Sequence, residues 1–149
     1  MGIAALVLWI LTAGGGFYLL AQWVGGGGHR RASATKFPPA LIFGHFLLAA
    51  AGLVLWIIYL AVANRPVGWV ALILLALAAV GGLTMFARWL PSYRTRQTAV
   101  AAGAQQPAGG PGDQPPERSF PVAIVGAHGV LAVTTLVLVV LTMAGVGAS

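Results

Sequence analysis

The chain has 149 residues, of which 59% are hydrophobic and only 7% charged, and it has no cysteine. About a quarter of an ordinary soluble domain is charged, so that class is excluded; the missing thiols exclude disulfides, thiolate metal sites and iron–sulfur clusters. Eight Lys and Arg against two acids give a net charge of +6, but the bases flank apolar runs, which makes them topology signals rather than a nucleic-acid footprint.

The apolar residues fall into four blocks, Ile3–Val24, Phe37–Ala63, Val67–Leu90 and Phe120–Val146. Each exceeds the roughly 20 residues needed to cross hydrocarbon about 30 Å thick. The predicted fold is all-α: an integral membrane four-helix bundle forming a single transmembrane domain over residues 1–149. The first block is expected to be a retained helix and not a signal peptide. Ala32-Ser33-Ala34 resembles a cleavage site, but nothing basic precedes the run, and Arg30 and Arg31 follow it. Asp113 and Glu117, the only acids, both fall in a polar loop. No carboxylate therefore lies within a span to couple protons or sodium.

The first connection, 25–36, holds Arg30, Arg31 and Lys36, and the second is a tight turn, Asn64-Arg65-Pro66. The third, 91–119, holds Arg94, Arg96 and Arg118, with Arg88 at the end of the preceding helix. Seven bases on one side against one on the other place loops 25–36 and 91–119 in the cytoplasm and both termini outside. Residues 99–117, rich in Ala, Gly, Gln and Pro, read as a flexible tether. Ala-, Gly- and Arg-rich usage with a single lysine points to a GC-rich bacterial gene and hence to a bacterial cell membrane.

Self-comparison reveals an internal repeat. Residues 37–55 align without gaps to 120–138, and residues 5–24 align to 71–90. The rarer identities carry the signal: Phe37-Pro38 with Phe120-Pro121, His45 with His128, Gly15-Gly16 with Gly81-Gly82, and Trp23 with Trp89. Two tandem parallel two-helix units, 1–63 and 67–146, follow, related by a pseudo-twofold axis along the membrane normal.

Each unit carries one intramembrane histidine at an equivalent position. His45 and His128 are expected at the same depth on the second and fourth helices, level with Gly15-Gly16 and Gly81-Gly82 on the first and third. Ala49, Gly52, Ala132 and Thr135 continue the histidine stripes at helical spacing. Two opposed imidazoles in a slot lined by small residues suit a flat macrocycle whose iron takes axial histidine. Arg88, at the basic interface, is placed to meet its propionates. This arrangement resembles the four-helix membrane b-type cytochromes, such as the cytochrome b561 group and the haem-bearing anchors of respiratory enzymes. The resemblance implies haem b, with His45 and His128 as axial ligands of its iron, and a role in electron transfer or haem handling.

Two other readings stand beside it. The protein can be a cofactor-free interaction or assembly subunit whose histidines serve helix packing. It can also be a metal-ion binding or transport protein, although two histidines are an incomplete zinc set and only Met85, Thr84, Thr134 and Thr135 lie near. His29 reads as a solvated loop residue, and Tyr18 and Tyr59 as interfacial or packing residues that can hydrogen-bond a quinone. No nucleophile–base–acid constellation, phosphate loop or metalloprotease motif assigns a reaction. The expected partners are the lipid bilayer, then a quinone, a respiratory-complex subunit or further copies of the chain, and no nucleic acid.

Overall fold

A segment crossing hydrocarbon has to satisfy its main-chain N–H and C=O groups internally, and a single segment does this as a helix. The computed structural model describes residues 1–30, 35–103 and 115–146. Its helices are α1 (Gly2–Gly25), α2 (Pro39–Val62), α3 (Arg65–Ala101) and α4 (Val122–Met143), with a short 3-10 helix at Pro116–Ser119 leading into α4. All four long helices are long and apolar enough to cross a membrane.

α1, α2 and α4 follow their apolar blocks closely, whereas α3 departs from its block at both ends. It starts at Arg65 rather than Val67, because Pro66 falls in the first helical turn, where a missing N–H breaks no bond. Asn64 caps that turn, its side chain accepting from Val67 N at 3.4 Å. At the other end α3 runs on through Pro91 to Ala101. The Trp89 and Tyr93 rings stack across the proline with centroids 4.9 Å apart. Beyond it, Arg96 Nη1 donates to the Arg118 carbonyl at 2.9 Å. A 37-residue helix is about 55 Å long, so its end stands outside hydrocarbon about 30 Å thick. The segment expected as a tether, 99–117, thus begins inside α3 and ends inside the 3-10 helix, and its centre, 104–114, lies outside the described residues.

α2 packs mainly along α3 and α1 mainly along α4, so α1 stands diagonally from α3 and α2 from α4. The buried side chains form two separate clusters. Ala5, Trp9, Trp56, Ala71, Leu75, Val139 and Met143 pack at the end that carries the α2–α3 turn. Trp23, Phe37, Ile42 and Trp89 pack at the opposite end. Between the clusters lies the layer that carries His45 and His128.

Candidate functional site

Helices α2 and α4 bring their histidines in from opposite corners, and the imidazole ring centroids lie 6.3 Å apart at an interplanar angle of 67°. The two helices themselves do not touch, so the side chains alone bridge the diagonal. Glycines on the neighbouring helices make room for them. A methyl group added at Gly16 would stand 3.0 Å from His128 Cε1, and one at Gly82 would stand 3.2 Å from His45 Cε1. Gly15 and Gly81 lie under the same rings, with added carbons 3.6 Å from His128 Nδ1 and 3.5 Å from His45 Cβ. His128 therefore beds against the glycines of α1, and His45 against those of α3.

Each ring is also held by a hydrogen bond to main chain. His45 Nδ1 lies 2.8 Å from the Ala78 carbonyl oxygen, and His128 Nδ1 lies 2.9 Å from that of Thr12. A carbonyl oxygen only accepts, so each Nδ1 carries the proton, and in a neutral ring Nε2 keeps its lone pair. That tautomer is the one a metal-binding imidazole adopts when a second partner holds its other nitrogen. Both rings are partly buried, and no charged side chain belongs to the layer.

Six of the seven candidate residues thus meet in one layer: His45, His128, Gly15, Gly16, Gly81 and Gly82. Arg88 does not join them. It lies six residues beyond Gly82 on α3, about 9 Å along the helix, and its Nη1 donates to the Lys36 carbonyl at 3.2 Å. There it lines a cleft with Thr35, Lys36, Pro38 and Pro39. Thr84, Thr134 and Thr135 each donate their hydroxyl to the carbonyl four residues back in their own helix. Met85 packs against the Trp23 cluster. Among the described residues no group of three or more His, Cys, Asp or Glu is placed to hold a metal ion. His29 is exposed and accepts from Arg30 Nε at 3.0 Å. Tyr18 accepts from Gln22 at 2.8 Å, and Tyr59 packs in the opposite core beside Trp56.

No protein-family model, curated protein or solved structure matches the chain. The chemistry of the layer rests on its own geometry.

One structural centre has no signal in the sequence. Glu117, in a Pro-rich loop next to Arg118, looks solvated, yet it is 1% exposed. Its Oε1 accepts from Lys36 N at 2.6 Å, and its Oε2 accepts from the Thr35 hydroxyl at 2.9 Å. Thr35 Oγ1 in turn accepts from Trp23 Nε1 and from Phe37 N, both at 3.1 Å. Those two donors leave the hydroxyl hydrogen free for the carboxylate. The Glu117 carbonyl accepts from Trp89 Nε1 at 3.2 Å. One residue thus ties both loops and both cluster tryptophans together at this end of the bundle.

Proposed function

We propose that this protein binds one haem b between His45 and His128 and serves in electron transfer or haem handling. The observation that carries the reading is the pair of opposed imidazoles, each with its Nδ1–H committed to a carbonyl. With ring centroids 6.3 Å apart, the two imidazoles are near enough that both would hold one iron. Gly15-Gly16 and Gly81-Gly82 give each imidazole a seat directly against the neighbouring helix. When bound, haem iron supplies a one-electron couple. His45 and His128 would hold the iron through Nε2, and the uncharged layer around them would tune its potential. Lys36 and Arg88, at the nearer end of the bundle, are the cations that would meet its propionates.

The tandem repeat draws support from the contacts. Thr12 and Ala78, the two carbonyls that hold the histidines, are repeat-equivalent residues, as are the glycine pairs on which the rings rest. Away from the site, a carbon added at Gly2 meets Leu60 Cδ2 at 2.7 Å, and one at the equivalent Gly68 meets Met143 Sδ at 2.8 Å. Leu60 and Met143 are themselves equivalent. The orientation, with loops 25–36 and 91–119 in the cytoplasm of a bacterial cell and both termini outside, is supported by the base asymmetry. The haem then lies toward the cytoplasmic half, and a quinone or a respiratory-complex subunit is the electron partner.

A cofactor-free assembly role is favoured by the same hydrogen bonds. They join α2 to α3 and α4 to α1, and they are complete without a ligand. The absorption spectrum decides. Protein purified after haem-replete expression is expected to show a Soret band and sharp reduced α and β bands; a colourless preparation rejects the haem reading in favour of the assembly role.

A further inference from the structure

The buried carboxylate of Glu117 faces Thr35 and Lys36, and among the described residues no second acid stands beside Arg96 and Arg118. Between the end of α3 and the start of α4 lies a cleft of about 650 Å³. Trp89, Phe120 and Val122 line it together with Arg96 and Arg118. Glu117 also lines it, but both carboxylate oxygens are already taken by Thr35 and Lys36. Among the described residues no other carboxylate exists to neutralise the two guanidinium groups. Trp89, which lines the cleft, is itself buried in the cluster at this end of the bundle. Val122 is 45% exposed on the membrane-spanning α4. The lining is therefore cationic at the arginines and apolar toward the spanning helix.

We propose that this cleft binds an anionic phospholipid, with Arg96 and Arg118 on the headgroup phosphate and Phe120 and Val122 against the acyl chain. Guanidinium groups match phosphate oxygens through paired, charge-assisted hydrogen bonds, and basic pockets between spanning helices bind anionic headgroups. A free phosphate ion would satisfy the charge and leave the apolar half of the cleft uncovered. The proposal does not rest on the haem reading, since none of these residues belongs to the histidine layer.

Native mass spectrometry of the full chain, offered equal phosphatidylglycerol and phosphatidylcholine, tests it. Wild-type protein is expected to retain phosphatidylglycerol preferentially. Arg118→Gln should reduce that preference about fivefold, the worth of one basic side chain at an anionic surface. The change leaves the Arg118 carbonyl in place for Arg96. Arg30→Gln, an equal loss of charge at the end of α1, should leave the preference intact. Equal retention of both lipids overturns the proposal, as does an equal effect of the two variants. Displacement of phosphatidylglycerol by millimolar inorganic phosphate also overturns it, in favour of a small-anion site. If Arg118→Gln does not fold, wild-type protein in rising salt reads the same contact, and a preference that survives screening overturns the proposal.

Discussion

An imidazole in a membrane bundle has two nitrogens to satisfy, and His45 and His128 each satisfy one with a main-chain carbonyl. What remains on each ring is a lone pair at Nε2, and the haem reading uses both. Replacing either histidine by Ala is then expected to abolish a low-spin bis-imidazole spectrum, while His29→Ala leaves it unchanged. In a cofactor-free bundle the same His→Ala changes cost only about 0.6 kcal/mol each, the mean for a membrane side-chain hydrogen bond. Gly16→Leu and Gly82→Leu extend the test without touching a ligand. Their first carbon already reaches 3.0 and 3.2 Å from a ring, so the larger side chain has to displace the histidine. Reduced haem occupancy in folded protein is the expected result; full occupancy would remove the glycines from the site. Glu117 makes a separate prediction. Both of its partners donate, and a glutamine offers only one acceptor oxygen, so Glu117→Gln turns an N–H group toward a donor. The expected cost is about 1–3 kcal/mol, the penalty of an unmatched buried polar group. Thermal unfolding in detergent measures it, with the wavelength of any Soret band unchanged.

At the scale of elements, the turn between α2 and α3 shows how little connection a hairpin of spanning helices needs. Ala63 ends α2 in the left-handed region at φ 53°, its N–H donating to the Tyr59 carbonyl, and Asn64 opens α3 at once. A left-handed L-residue costs roughly 1–2 kcal/mol, and glycine avoids it at some loss of chain entropy. Ala63→Gly is therefore expected to stabilise the protein by about 0.5–1 kcal/mol, seen as a higher unfolding midpoint; a lower midpoint would show that the alanine methyl packs usefully. The continuation of α3 past Pro91 has a different basis. Hydropathy falls at Leu90, and the residues that follow are helical because Trp89 stacks on Tyr93 and Arg96 reaches the Arg118 carbonyl. The first is an i,i+4 pair on one helix face, whereas the second joins residues 22 apart and exists only in the folded bundle.

For the whole molecule, the diagonal placement of α2 and α4 decides the site. Their backbones stay apart while their histidines meet, with α1 and α3, bare glycine at the level of the rings, in the other two corners. The orientation proposed for this bundle rests on the asymmetry of its bases. Thr98, on the exposed end of α3, and Val146, beyond α4, lie at opposite ends of the bundle. A chain without native cysteine allows single Thr98→Cys and Val146→Cys variants to be labelled in intact cells by an impermeant reagent. Labelling is expected at residue 146 and not at residue 98; the reverse pattern inverts the topology.

The four long helices, their apolar character and the meeting of His45 with His128 at one level were all legible in the sequence. Each depends on residue type at a fixed spacing, and hydrocarbon leaves the backbone no alternative to helix. The glycine pairs were legible as small residues at histidine depth, but not which ring rests on which pair. Four helices can be arranged so that each histidine faces either neighbour, and only packing selects α3 for His45 and α1 for His128. The carbonyls of Thr12 and Ala78 were invisible for a related reason, since every residue has a carbonyl and only three-dimensional position gives one a role. Glu117 is the sharpest case. Its neighbours in sequence are polar and Pro-rich, while its partners Thr35 and Lys36 stand some eighty residues earlier in the chain. Burial of that carboxylate depends on donors that only the tertiary structure brings to it.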